Sequence, residues 1–188
     1  MRIVSGKHRG RRLAAPHGDR VRPTGDRARQ ALFNILEHGR FAAGGGSPLI
    51  GARVVDLFCG TGALGLEALS RGAAFAILID NDAEAIGAAR ANVRALGETS
   101  RVMLRQADAT RPGPSPGQCR IAFLDPPYRG ALAEPAITAL AADGWLEPGG
   151  IVVVEIDGRE TFTPPAGFAL VDQRRYGRAK LIFLRFGS

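Results

Sequence analysis

The stretch Val54-Val55-Asp56-Leu57-Phe58-Cys59-Gly60-Thr61-Gly62-Ala63-Leu64-Gly65 decides how the 188-residue chain is read. An apolar run carrying one carboxylate meets a glycine-rich turn, and residues 63–71 then repeat their apolar positions at helical spacing. The pattern is strand, nucleotide-binding loop, helix. Gly60 and Gly62 allow positive φ and a close approach by a ligand, and Gly65 can bring the helix against the strand. The glycine spacing also fits the G-x-G-x-x-G of NAD enzymes, with Asp80 where a ribose-binding acid is expected. Asp56, four residues before Gly60, points the other way: an anion there opposes a pyrophosphate but suits a ligand bearing an ammonium and a sulfonium, such as S-adenosylmethionine. On this stretch alone both cofactors stay open, as does a tight turn that binds nothing.

Downstream, strand and helix alternate. Strands are expected at 53–58, 75–80, 101–106, 120–124 and 151–156, with helices at 63–71, 82–96 and 131–142. Phe168 to Arg175 and Lys180 to Phe186, hinged near Gly177, predict a closing antiparallel hairpin. Thr110 to Gly117 holds three prolines and two glycines, so that crossover is expected to be a loop. These elements make an α/β domain with a mostly parallel, doubly wound sheet of seven strands.

Ligands of such sheets bind beyond the carboxyl ends of the strands, and Asp56, Asp80, Asp108 and Asp125 all fall there. Asp80 can accept from ribose hydroxyls and Asp108 from an adenine amino group. The competing reading of each is a helix N-cap or turn residue, strongest at Asp82. The sharpest motif is Asp125-Pro126-Pro127-Tyr128, directly after Ile121-Ala122-Phe123-Leu124. Its prolines stop the strand and leave carbonyls as acceptors. A base amino group is a poor nucleophile because its lone pair is delocalised. The Asp125 carboxylate and the Pro126 carbonyl, accepting from its two hydrogens, would expose that lone pair, while Tyr128 offers a flat face to an unstacked base. The plain alternative is a rigid turn.

Charge is unevenly placed. Residues 1–40 hold ten Lys or Arg against three Asp or Glu, and the rest of the chain is balanced at 15 against 15. Short strand-like pieces at Arg2 to Val4 and Arg11 to Ala14 predict a small hairpin bearing Lys7, His8, Arg9, Arg11 and Arg12. Pro16 to Pro23 is turn-rich, and Thr24 to Glu37 reads as a helix capped by Thr24 or Asp26, with Arg22, Arg27 and Arg29 near its start. Such a basic ribbon and helix, spanning 1–41 ahead of a domain at 42–188, is an electrostatic footprint for nucleic acid; a solvated tail is the plain alternative. Ala42 to Pro48, rich in glycine, looks like a flexible joint. No apolar run approaches a membrane span and the N-terminus has no apolar leader core, so a cytoplasmic protein without membrane partners is expected. Cys59 and Cys119 have neither metal-ligand nor disulfide spacing.

Together these motifs resemble the class I S-adenosylmethionine-dependent methyltransferases, Rossmann-like enzymes that modify base amino groups. The N-terminal residues Met1 to Gly6, Arg9 to Leu13, Arg22 to Thr24 and Asp26 to Leu36 narrow the resemblance to the RsmD family, which methylates N2 of a guanine in 16S ribosomal RNA. Gly25 and Gln30 depart from the family's usual Thr or Ser and Glu. The resemblance implies that Asp56 and Gly60, Thr61 and Gly62 hold the methionine part, Asp80 the ribose and Asp108 the adenine, with Phe58, Asn81 and Ala109 beside them. It assigns Asp125, Pro126 and Tyr128 to the target guanine, and Lys7, Arg9, Arg11, Arg12, Arg22, Arg27 and Arg29 to RNA. The implied partner is 16S ribosomal RNA or the assembling small subunit, acted on by a monomer that releases S-adenosylhomocysteine and needs no metal. Readings left open are a DNA adenine-N6 or cytosine-N4 methylase, an NAD-dependent oxidoreductase, and an RNA-binding module without chemistry.

Overall fold

The computed structural model describes residues 1–15, 26–38, 41, 46–127 and 131–187. Seven strands form one sheet: β1 (Arg53–Leu57), β2 (Phe75–Asp80), β3 (Val102–Gln106), β4 (Cys119–Leu124), β5 (Leu146–Asp157), β6 (Phe168–Tyr176) and β7 (Ala179–Phe186). Their order across the sheet is β3-β2-β1-β4-β5-β7-β6. The first five run parallel, and β7 pairs antiparallel with both β5 and β6. The expected mostly parallel sheet with a terminal hairpin is therefore present. The order reverses at β1, whose two neighbours are β2 and β4, which places a crevice at the carboxyl ends of these strands.

Side chains alternate between two buried clusters, as strands covered on both faces require. Val54, Leu78, Phe123, Val153 and Phe183 point to one face, and Val55, Ile77, Ala122, Val152 and Ile182 to the other. Helices α1 (Asp26–His38), α2 (Ala63–Ser70) and α3 (Ala83–Leu96) supply the first face, and α4 (Ala133–Ala142) the second. Helix α3 shows the local rules at work: the Asp82 carboxylate accepts from Glu84 N at 2.9 Å, and Gly97 ends the helix in the left-handed region. Asp82 is thus a helix cap.

The β3-to-β4 crossover carries no helix, as expected. It is pinned by Trp145 Nε1 donating to Gly113 O at 2.8 Å and Arg105 Nη1 to Pro112 O at 2.7 Å. Strand β5 starts five residues before the expected 151, because Leu146 pairs with Cys119 ahead of an irregularity that absorbs Pro148 and its glycines.

The N-terminal residues form the expected ribbon. Arg2 bridges Arg12, and Ile3 N donates to Arg11 O and Gly10 N to Ile3 O, both at 2.9 Å. This ribbon is docked into the molecule. Ile3 and Leu13 are buried in the same cluster as Leu32, Phe33 and Leu36 of α1 and the sheet beneath. Phe33 meets Phe123 of β4, and Phe41 meets Phe183 of β7, both with ring centroids 5.4 Å apart. Of the expected joint, residues 42–45 lie outside the described part. Among the described residues no helix is long and apolar enough to cross a membrane.

Candidate active site

The chain leaves β1 in an unfavourable conformation. Phe58, a bulky residue, has φ +59°, and Gly60 and Gly62 follow at +52° and +78°. A positive φ at an aromatic residue costs about 1–2 kcal/mol, and such strain concentrates at ligand-binding loops. The turn is held by Cys59 N donating to Ile79 O and Gly62 N to Cys59 O. Gly65, in the first turn of α2, is required by space alone. A methyl group there would stand 2.3 Å from Leu78 Cδ2.

The acids cluster as expected at the strand ends. Asp56 is 1% exposed, and its Oδ2 accepts from Gly65 N at 2.9 Å, capping an α2 whose own N-cap residue, Gly62, has no side chain to do so. Burial pushes its carboxyl well above the ordinary range, and the nearby charges of Asp125 and Asp80 push it further; the Gly65 hydrogen bond opposes them. Asp80 turns Oδ2 to Gly60 N at 2.8 Å and Oδ1 to Asp82 N at 3.0 Å, so it shapes the loop while each oxygen keeps a lone pair for a hydroxyl. Asp108 accepts from Thr110 N and Thr110 Oγ1, both at 2.8 Å, and these bonds hold its carboxyl below the usual range. Asp108 is exposed two residues beyond the end of β3 and precedes buried Ala109, and exposed Asn81 directly follows β2. Asp125 follows β4, which pairs Leu124 with Leu57 of β1 and Val154 of β5. It is half-buried ahead of buried Pro126 and exposed Pro127. Tyr128 and Arg22 lie outside the described residues. The cleft thus gathers Asp56, Asp80 and Asp125 within electrostatic reach, an environment that raises Asp56's proton affinity and would equally favour a bound cation.

The basic residues part company. Arg29, expected to meet RNA, is 0% exposed: its Nη2 donates to Arg2 O at 2.5 Å, and its Nε stands 3.9 Å from Glu67 Oε2. A guanidinium sealed between α1 and α2 cannot reach phosphate, so that assignment is corrected. Lys7 pairs with Glu98 at 3.4 Å, and Arg11 Nη2 donates to Ala95 O at 2.7 Å. Both partners lie at the C-terminal end of α3, where cations are favoured by the helix dipole. Arg9, Arg12 and Arg27 are exposed. His8 is buried, with Nε2 2.5 Å from Glu98 Oε1. The tip of the ribbon therefore sits at the amino edge of the sheet, away from Asp125.

Two buried polar contacts that tie the ribbon to the domain were not anticipated. Glu67, fully buried, accepts from Val4 N and Ser5 N at 2.8 and 3.0 Å and from Arg71 Nε at 2.8 Å. Asn92, also buried, exchanges hydrogen bonds with Ala14 at 2.7 and 3.0 Å and donates to Thr61 O at 3.0 Å, joining ribbon and glycine loop. The signal for Glu67 was a lone carboxylate in the otherwise apolar Ala63-Leu64-Gly65-Leu66-Glu67-Ala68-Leu69; Asn92 gave none.

A doubly wound sheet in this order, with an antiparallel closing strand and a glycine loop between β1 and α2, is the Rossmann-like fold of class I methyltransferases. Residues 1–185 match the family model described as conserved hypothetical protein 95, and the chain belongs to this family, the RsmD family. It is 35% identical to YlbH of Bacillus subtilis over 179 residues, covering 93% of this chain and 92% of that one. It is 34% identical to ribosomal RNA small subunit methyltransferase D of Escherichia coli over 187 residues, covering 95% and 86%. The solved structure of yhhF from Escherichia coli superposes with a TM-score of 0.83 at 34% identity, covering 99% of this chain and 97% of that one.

Proposed function

We propose that this protein transfers a methyl group from S-adenosylmethionine to N2 of a guanine in 16S ribosomal RNA. The observation that carries the reading is the acidic cleft at the reversal of strand order, Asp56 and Asp80 against Asp125 of Asp125-Pro126-Pro127. It is supported by the ribosomal RNA small subunit methyltransferase named among the relatives. The residues fit the donor. Gly60 turns at positive φ with no side chain to hinder a ligand, Gly62 is bare because a methyl there would stand 2.8 Å from Leu78 Cδ1, and the carboxylates suit an ammonium and a sulfonium. Asp80 would hold the ribose hydroxyls and Asp108, with the Ala109 backbone, the adenine.

When bound, the donor supplies a methyl carbon made electrophilic by its positively charged sulfur. Asp125 and the Pro126 carbonyl accept from the guanine amino group and hold its lone pair in line with that carbon. With the donor in place an N–C bond would form as the C–S bond breaks, the sulfur keeping that electron pair in S-adenosylhomocysteine and the amine's proton passing to solvent. Asp125 orients and Tyr128 supports the extruded base. The test offers labelled donor with small-subunit ribosomal RNA or particles and, separately, with duplex DNA, then maps the modified nucleotide. Label on guanine N2 of the RNA is expected. Label on DNA, or calorimetric binding of NAD in place of the donor, overturns the reading.

Asp56 gives a pH signature. A carboxyl whose pKa is raised on folding favours the folded state at low pH and costs stability as pH climbs from the unfolded value through the folded one. A cation lowers it again, so donor binding is expected to release protons and to tighten as pH rises through that raised value. Calorimetry in buffers of different ionisation enthalpy measures this release. Asp56→Asn should abolish it and weaken the donor, while raising the melting temperature at pH 8; proton release equal to the parent's would reassign the charge.

A further inference from the structure

The ribbon's tip lies at the amino edge of the sheet, whereas a base drawn into the Asp125 cleft brings its flanking phosphates to the carboxyl edge. The C-terminal hairpin reaches that edge. Leu124, just before Asp125, pairs with Val154, and β5 runs on to Asp157, which pairs with Ala179 at the start of β7. Three residues at ~3.3 Å each lift the β6–β7 turn roughly 10 Å above the level of Leu124. Two strand spacings of ~4.8 Å separate β4 from β7. The segment Gln173-Arg174-Arg175-Tyr176-Gly177-Arg178-Ala179-Lys180 carries four cations and no acid.

The three arginines are presented outward, while Lys180 is half-buried and donates to Glu160 O. Arg174 is 59% exposed at its side chain, though it also meets Asp172 at 3.2 Å. Arg175, Arg178 and, across the turn, Arg159 are exposed. Arg178 O accepts from Gly158 N at 2.7 Å, which fixes the turn to the end of β5. Arg174 is registered with Leu181 and Arg175 with Lys180, so the turn puts cations on both faces. The neutral sum over residues 41–188 hides this, because Asp56, Glu67 and Glu98 are buried inside the molecule, while beside the turn Asp157, Glu160 and Asp172 face five cations, Arg159, Arg174, Arg175, Arg178 and Lys180.

We propose that the β6–β7 turn is a second RNA-backbone surface, gripping phosphates next to the target nucleotide through Arg174, Arg175 and Arg178, across the Asp125 cleft from the cofactor loop. This rests on the RNA reading above. The test is the full-length Arg174→Ala/Arg175→Ala/Arg178→Ala variant with a 16S ribosomal RNA transcript, its binding followed from 50 to 300 mM KCl. Each lost phosphate contact lowers the log–log salt slope by about 0.7 for a single strand, so a fall of about 2 is expected. KM for RNA should rise about tenfold or more, with kcat and donor affinity unchanged. The triple Arg→Lys variant should restore the slope, and Arg120→Ala, at the opposite edge of the sheet, should leave it at the parent's value. A parent-like slope and KM in the alanine variant overturns this proposal alone. A parent that neither binds nor methylates the RNA overturns the functional reading, and this proposal with it.

Discussion

Asp125→Ala is expected to lower methyl transfer by at least about 10²–10³-fold, the usual cost of removing one group that acts on the reacting atoms. Donor affinity should stay within a few-fold of the parent, because the attraction lost with the Asp125 charge is offset by easier ionisation of Asp56. Single-turnover transfer at saturating donor, read beside donor calorimetry, separates the two effects. Asp125→Asn sharpens the test: it keeps one acceptor but adds a donor facing the amine's own hydrogens, so it should be nearly as impaired. Turnover equal to the parent's in either variant would remove Asp125 from the reaction. The backbone makes a structural excuse weak, since Asp125 follows the last paired residue of β4 and sits half-buried outside the ladder.

The second large effect is expected far from the cleft. In Gly6→Ala the new methyl would stand 1.9 Å from Ser70 O, at φ +77°. Backbone must move. The docking of the ribbon on α2 depends on that approach: Lys7 N donates to Ser70 O at 2.8 Å, His8 N to Ser70 Oγ at 2.9 Å, and Ser70 Oγ to Ser5 O at 2.5 Å. Lifting the ribbon also strips Glu67 of the amides of Val4 and Ser5, and a buried charge losing a partner costs about 3–5 kcal/mol. At about 2–4 °C per kcal/mol for a chain of this size, the melting temperature should fall by roughly 10 °C. Gly10→Ala is the control. It has φ +83° but nothing within 4 Å, so only the strain of about 1 kcal/mol remains. Equal melting temperatures for the two variants would show that the contact with Ser70 does not hold the ribbon.

The strands and helices were legible because nearly every one carries its own periodicity and its own punctuation. Gly65 announced a close helix–strand approach, and Leu78 Cδ2 is where that prediction lands. The acids at strand ends were legible for the same reason: once the sheet is parallel, its carboxyl edge is known. Charge was harder to read. Arg29 looked like one more cation in a basic region, yet Arg29, Leu32, Phe33 and Leu36 share a helical stripe, and that stripe faces the core. Nothing local tells a guanidinium that it will meet Glu67, 38 positions away in an apolar helix. The partners of exposed Lys7 and Arg11 were illegible for a related reason, since Glu98 and Ala95 O come beside the ribbon only once α3 has ended there. Sequence shows how much charge a segment holds; packing decides which way it faces.

The burial of Ile3, Leu13, Phe33 and Glu67 in one continuous interior bears on how this protein can be dissected. A fragment trimmed to residues 42–188 would present to water the apolar floor that α1 and the ribbon now roof over, and would strand the Glu67 carboxylate without Arg29 or its amides. Such a fragment should aggregate before its affinity for anything is measured. Recognition in this protein is therefore to be mapped by replacing single exposed side chains, with the scaffold kept whole.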